Sequence, residues 1–569
     1  MSKLRSSRWF DSETRMGHTH RQRIMQGGFS RQDFAGKPVI AILSTWSDLN
    51  PCHAHFRERA EDVKRGVWEA GGFPVEIPVM ALGEPFMKPS AMLYRSLLAI
   101  QTEETLRCHP VDGAVLMGGC DKTTPALLLG AISMNLPSIF LPAGPMLTGR
   151  WHNKALGSGT DTAKAFNDWK AGILPDKDFK EMEEAGARSP GHCMTMGTAS
   201  SMTAIAEAMG MTLSGATSIP APDSRHRHMA VNTGRRAVEI VLSDLKPKDI
   251  LSEGSFKNAI ITLLALGGST NAVIHLIAMA RRAGLKLDLC TFDELSKIIP
   301  VLADLRPSGQ FLMEDFFEAG GLRGLLSRLV DFLDADAITI SGQTLIKDIA
   351  NACVWNNKVI RQRDNPVQEN GGLVILHGNI APQGAVLKVS AASKNLLNHV
   401  GRALVFDGWQ DFVSQIDRND LDVDENSILV LRNCGPRGGP GMPEWGMMQV
   451  PKKLLERGIR DILRISDARM SGTHFGTVIL HVSPEAAIGG PLSLVETGDI
   501  IHLNAKKRLL KLDVTEDILE ERKRRWIPPV EKYERGWVKL YKNHVNQADI
   551  GADLDFLEHG PYTPEPEIN

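Results

Sequence analysis

Residues 37–80 read KPVIAILSTWSDLNPCHAHFRERAEDVKRGVWEAGGFPVEIPVM. From Lys37 to Ser44 the run is branched and apolar, too short for a buried helix, and reads as a strand. A polar loop follows, and a helix is expected from about His53 to Glu69, ending at Gly71-Gly72. Val75 to Met80 is a second strand. The alternation continues downstream: a loop at Gly83-Glu84-Pro85, a helix from about Ser90, and a strand from Asp112 to Met117. Then come a loop from Gly118 to Thr124, a helix opening at Pro125, where proline is well tolerated, and a strand from Leu136 to Leu141. Strands alternating with helices imply an α/β fold, a parallel sheet covered on both faces. Ligands of such sheets sit at the carboxyl ends of the strands, where helix N-termini also point. Cys52, Glu84 and Cys120 all fall on strand-to-helix loops, so one crevice can collect them.

From about Thr195 to Gly284 the chain is rich in helical pattern. Asn258 to Arg282 is expected as two helical halves broken at Gly267-Gly268-Ser269-Thr270-Asn271. After about Asn370 the pattern changes to short β-like runs between Gly/Pro/Asp-rich loops. They are Leu373–Leu376, Arg402–Phe406, Ser427–Leu431, Thr477–Val482 and Asp499–Leu503. That spacing predicts a large N-terminal α/β domain over residues 1–370 and a β-rich, barrel-like domain over 371–569, joined by a linker at Asp364–Asn370. The Pro/Glu-rich tail after Gly560 is expected to be loose.

The chain has 569 residues, 43% hydrophobic and 23% charged, with a net charge of −2. That is ordinary for a soluble globular protein and argues against nucleic acid or an anionic membrane as partner. The basic start, Met1 to Gln26, has no apolar core and does not read as a signal peptide. The longest apolar run, near Ala259 to Leu266, is far short of the roughly 20 residues that span a bilayer. Seven cysteines, an odd and sparse number, argue against a disulfide framework and for a reduced, cytoplasmic protein. Cys108, Cys290 and Cys353 are expected as buried free thiols.

The other cysteines sit in unusual contexts: Cys52 in Asn-Pro-Cys-His, Cys120 in Gly-Gly-Cys-Asp-Lys-Thr-Thr-Pro, and Cys193 in Gly-His-Cys-Met-Thr-Met-Gly-Thr. Each precedes a segment of helical periodicity. Three thiolates can hold an iron–sulfur cluster and leave one iron open, which suits Lewis-acid chemistry rather than electron transfer. In Cys120-Asp121-Lys122 a soft thiolate adjoins a hard carboxylate, which suggests two different metals a short distance apart. Glu84 and Glu444 are further hard ligands or solvated carboxylates. The Cys434-to-Glu444 loop is too rich in Gly and Pro for a helix, and it lacks a phosphate-binding spacing. Ser471-Gly472-Thr473 puts two hydroxyls around a glycine, a pattern that also fits a turn or helix cap.

Taken in order, these segments resemble the dihydroxy-acid and phosphogluconate dehydratase family. The resemblance runs from about Arg5 to Leu557. It rests on Cys52, Gly119–Lys122, Gly191–Gly197, Gly267–Asn271, Gly378–Pro382, Pro440–Glu444, Ala468–Gly472 and Ser483–Ala487. The phrases at residues 45–52, 432–436 and 551–557 are most similar to the sugar-acid (aldonate) branch. In the branched-chain amino acid enzymes a glutamate usually stands at the position of Cys434, so that alternative activity is disfavoured and Cys434 inherits no role.

The resemblance implies a [2Fe–2S] cluster on Cys52, Cys120 and Cys193. It also implies Mg²⁺ on Glu84, Asp121 and Glu444, with Lys122 carbamylated as a further oxygen ligand. An uncarbamylated ammonium would repel Mg²⁺, whereas a carbamate attracts it. Ser471 matches the family's base and Thr473 stands close enough to position it. The expected reaction removes water from a sugar acid, a pentonate such as L-arabinonate, to give a 2-keto-3-deoxy acid. A homodimer or homotetramer is expected as well. An iron–sulfur redox carrier would not need Glu84, Asp121 and Glu444 together, and a purely structural reading leaves the motif series unexplained.

Overall fold

The structure, a computed structural model, describes residues 4–558 and 564–568. Its N-terminal sheet contains β1 (Val39–Ser44), β2 (Phe73–Pro78), β3 (Gly113–Gly118) and β4 (Ser138–Pro142). The order is β2-β1-β3-β4, all parallel. The strands β1, β3 and β4 are buried along their whole length, which explains why they read as unbroken apolar runs. The edge strand β2 is half exposed and carries Pro74 and Pro78, residues a central strand could not accommodate.

Helices cover both faces. Phe56–Glu69 crosses Ser224–Leu242 closely, because a Cβ on Gly66 would stand 2.0 Å from the Val231 carbonyl and one on Gly234 2.2 Å from that of Val63. The mostly buried helix Thr123–Met134 packs against Arg95–Cys108 and Asn271–Arg282. A small hairpin, β5 (Gly149–Trp151) and β6 (Lys154–Leu156), follows the sheet.

The second sheet has eight strands: β7 (Val374–Leu376), β8 (Gly384–Leu387), β9 (Asn398–Asp407), β10 (Ile428–Arg432), β11 (Arg464–Ser466), β12 (Val478–Ser483), β13 (Ile500–Asn504) and β14 (Leu509–Leu512). Their order is β14-β13-β9-β10-β11-β12-β8-β7, mixed parallel and antiparallel. The two ends nearly close into a barrel, where His377 exchanges backbone hydrogen bonds with Arg508 and Leu510 at 2.9 and 2.8 Å. Both the α/β class and the barrel-like second sheet expected above are therefore present. Leu373 and Ile375 pack into the N-terminal core, while Val374 and Leu376 pack into the barrel core. Thus β7 is apolar on both faces, the strand period of two serving two cores.

Several local expectations are corrected. Pro51–His53 is a 3-10 turn, and the helix expected from His53 starts at Phe56. Cys108, Cys290 and Cys353 are free but exposed, not buried. Residues 559–563 of the tail lie outside the described part. Residues 564–568 are held rather than loose: Glu565 pairs with Arg5 and Arg8, each at 2.8 Å. The stretch 364–370 has no helix or strand but is tied down, since Val301 pairs with Gln368. Among the described residues no helix is long and apolar enough to cross a membrane.

The C-terminal segment returns to the helices Arg95–Cys108 and Asn271–Arg282 through Asp553. This carboxylate, 1% exposed, lies 2.7 Å from Arg282 and 3.5 Å from Arg95, with Ser96 donating at 2.8 Å. Burial alone would raise its pKa, but the two guanidiniums outweigh burial and hold it down to about 2. Asp553→Asn leaves two buried cations without their counter-charge. The expected cost is about 3–5 kcal/mol, read as a lowered midpoint in thermal or urea unfolding.

Candidate active site

A cavity of about 900 Å³ opens where the carboxyl ends of the parallel strands face the barrel. It is lined by Cys52, Glu84, Cys120, Asp121 and Cys193 from the first part, and by Trp409, Glu444, Trp445, Ser471, Thr473 and His474 from the second. Of the nine site residues expected from sequence, eight line it. The ninth, Lys122, is fully buried behind Asp121, its Nζ 2.6 Å from Asp121 Oδ2 and 3.9 Å from Glu84 Oε2.

The cysteine loops are anchored by a histidine that sequence reading passed over. His53 lies next to the Thr45 carbonyl through Nδ1 at 3.0 Å, and its Nε2 accepts the Cys120 N–H at 2.9 Å. Burial holds its pKa down to about 4, so the ring stays neutral and locks the β1 loop to the β3 loop. Asn50 donates to the Leu82 carbonyl at 3.1 Å and so ties in the Glu84 loop. The helix Thr123–Met134 begins directly after Lys122, and Thr123 Oγ1 accepts the Cys120 N–H at 3.0 Å.

Among the thiols, Cys120 is pushed well up, first by its hydrogen bond with Cys52 and then by burial. Burial, then Cys52, pushes Cys193 up to about 12. Three thiols, two of them held protonated by their surroundings, thus line one cavity; His192, next to Cys193 in the chain, has a buried Nε2 with no partner among the described residues. This donor set suits a cation that deprotonates thiols on binding, and three cysteines fit an iron–sulfur cluster with one open iron.

The carboxylates make a second group. Glu84, Asp121 and Glu444 each present an oxygen within 4.8 Å of the others. Burial, then the neighbouring Glu84, pushes Glu444 up to about 7. Asp121 goes the other way: Lys122 outweighs the effect of burial and lowers it. Hard oxygens at this spacing fit Mg²⁺.

Arg469, also passed over, is fully buried between these groups. It lies 3.3 Å from Glu444 and donates to Ser90 Oγ at 2.8 Å and to the Met442 carbonyl at 2.8 Å. A charged residue between apolar Ala468 and Met470 was the available signal. Asn271 Nδ2 bridges Thr198 Oγ1, Glu444 and the Met470 carbonyl at 2.9, 3.3 and 3.2 Å.

Ser471 and Thr473 lie on one tight turn, their hydroxyls 2.9 Å apart. The turn is clamped: a Cβ on Gly472 would stand 2.6 Å from Ser269, and one on Gly197 2.4 Å from Thr473 Cγ2. Thr160 Oγ1 donates to the Thr473 carbonyl. Trp409 and Trp445 stack with centroids 5.8 Å apart at 13°, and the exposed Lys88 lines the same cavity.

Two family models match the chain: the dihydroxy-acid/6-phosphogluconate dehydratase N-terminal domain over residues 37–348, and its C-terminal domain over 358–552. The chain is 50% identical to a 6-deoxy-6-sulfo-D-gluconate dehydratase of Pseudomonas putida, over 100% of this chain and 99% of that protein. It is also 50% identical to an L-arabinonate dehydratase of Rhizobium leguminosarum bv. trifolii, over 98% and 96%. A dihydroxy-acid dehydratase of Clostridium novyi is 37% identical over 94% and 98%. With both halves matched and relatives of this similarity spanning its length, the chain belongs to the dihydroxy-acid/6-phosphogluconate dehydratase family.

Proposed function

We propose that this dehydratase converts a sugar acid to its 2-keto-3-deoxy acid, with a pentonate such as L-arabinonate as substrate. The observation that carries the reading is the meeting of three thiols, three carboxylates and the Ser471 hydroxyl on one cavity. Ser471 Oγ takes the C2 proton; the C3–O bond breaks, hydroxide leaves as water, and the enol tautomerises to the ketone. A serine hydroxyl is a weak base in water, so it needs the clamped turn and nearby positive charge to act. When bound, a [2Fe–2S] cluster on Cys52, Cys120 and Cys193 and Mg²⁺ on Glu84, Asp121, Glu444 and a carbamylated Lys122 supply Lewis acidity at the C3 hydroxyl and at the C1–C2 oxygens. Arg469 and Asn271 fix Glu444. The Trp409–Trp445 pair forms a wall for the carbons beyond C3. A reduced cytoplasmic setting and a homodimer or homotetramer go with this reading; all seven cysteines are free.

A second reading keeps the chemistry and lengthens the substrate to a C6 sugar acid with an anionic end. It is favoured by the 50% identity to a sulfogluconate dehydratase and by the exposed Lys88 lining the cavity. Holoenzyme reconstituted anaerobically and assayed against C5 and C6 aldonates, 6-deoxy-6-sulfo-gluconate and a branched 2,3-dihydroxy acid separates these. The largest kcat/KM is expected on L-arabinonate. Turnover confined to the branched acid would reject the sugar-acid reading.

A further inference from the structure

Lys388 stands at the end of β8, behind the Ser471–Thr473 turn and away from the cavity's lining. Its side chain is 2% exposed. Among the described residues its amine has one hydrogen-bond partner, the Gly472 carbonyl at 3.5 Å, and no carboxylate pairs with it. An ammonium carries three donors, and burying one without a counter-charge is costly. The other buried cations near the site are neutralised: Lys122 by Asp121 and Glu84, Arg469 by Glu444, Arg464 by Asp461. Burial pushes the Lys388 amine down to about 7, so it still carries charge over part of the neutral range.

The carbonyl it meets belongs to the peptide joining Gly472 to Thr473. The N–H of that peptide is 3.4 Å from Ser471 Oγ, and the Thr473 hydroxyl is 2.9 Å from the same atom. On the other side Gly472 is walled in by Ser269 and the Thr198 backbone. A donor on the Gly472 carbonyl therefore sets the plane of the peptide that presents Thr473 to Ser471.

We propose that Lys388 is a positioning residue for the dehydration: its ammonium orients the Gly472–Thr473 peptide and supplies an unneutralised positive charge that favours the Ser471 alkoxide. A charge in a low-dielectric interior is felt more strongly than the same charge in water. The proposal rests on the reading of Ser471 as the base.

The test uses holoenzyme of Lys388→Met, Lys388→Gln and Lys388→Arg beside Ser471→Ala and the Ser471→Ala/Lys388→Met double variant. The neutral variants should lose roughly ten- to a hundredfold in kcat, with KM within about twofold, and slow C2-deuterium loss in proportion. Their visible spectrum and unfolding temperature should match wild type, and Lys388→Arg, which keeps the charge, should recover most of the rate. In the Ser471→Ala background, Lys388→Met should cost nothing further, because both changes remove one step. An additive loss, an unchanged kcat in Lys388→Met, or an equal loss in Lys388→Arg overturns the proposal. So does a set of Lys388 variants none of which folds, since the lysine is then a fold element. If Ser471→Ala alone keeps wild-type turnover, the base assignment itself has failed, and that result is read independently of Lys388.

Discussion

Cys120→Ser holoenzyme is expected to be colourless and inactive, where the wild type is brown with about two irons and two acid-labile sulfides per chain. Cys120 is central because its backbone is held by His53 and Thr123, and its thiol faces Cys52. A serine oxygen in that place is a hard donor that suits iron poorly. Cys52→Ser and Cys193→Ser should behave alike. Glu84→Gln provides the opposite arm: it should keep the colour and lose Mg²⁺ affinity and turnover. Glu84 is held by Ser90 Oγ at 3.0 Å and by the Ala91 N–H at 3.2 Å, contacts that do not involve the thiols. Iron and sulfide analysis with Mg²⁺ titration reads both arms. A colourless wild type with full turnover, or a Glu84→Gln protein that loses iron but keeps Mg²⁺, overturns the division of soft and hard ligands.

The parallel sheet was legible because β1, β3 and β4 are covered on both faces and therefore spell continuous apolar runs. In the barrel, five strands showed and three did not. Arg464–Ser466 has three residues and a charge, Gly384–Leu387 opens on glycine, and Leu509–Leu512 alternates leucines with a lysine in a basic stretch. The helix after Cys52 begins three residues late, since Pro51-Cys52-His53 closes a 3-10 turn first. At the site, side chains on strand-to-helix loops were predictable from topology. Arg469, His53 and Lys388 were not, because what singles them out is burial against segments hundreds of residues away or on another loop. The three exposed cysteines fail for the same reason: exposure depends on which face of a helix or loop meets a neighbour. Glu444 and Ser471 were reached through motif resemblance, and the fold then brought them to the cavity that the cysteines line.

Ser471→Ala is expected to retain colour, Mg²⁺ binding and substrate affinity while losing roughly 10²–10⁴ in kcat. The magnitude follows from removing the group that takes the C2 proton while leaving the binding groups in place, so KM should hardly move. The fold tolerates the change. Among the described residues Ser471 Oγ bonds only within its own turn, to Thr473 Oγ1 at 2.9 Å and the Thr473 N–H at 3.4 Å, and the clamps on that turn are glycine contacts untouched by the substitution. Thr473→Ala should lie between the two, since it removes the hydroxyl that orients Ser471 but leaves the base. The decisive readout is isotopic. Wild-type enzyme releases deuterium from C2-labelled substrate into water, and the Ser471→Ala protein should release none above background even when substrate saturates it. Deuterium release without net dehydration would instead put the defect at C3–O cleavage and assign Ser471 to the leaving group. Wild-type kcat in Ser471→Ala would move the base elsewhere, with Lys122, buried behind Asp121, the next group to test.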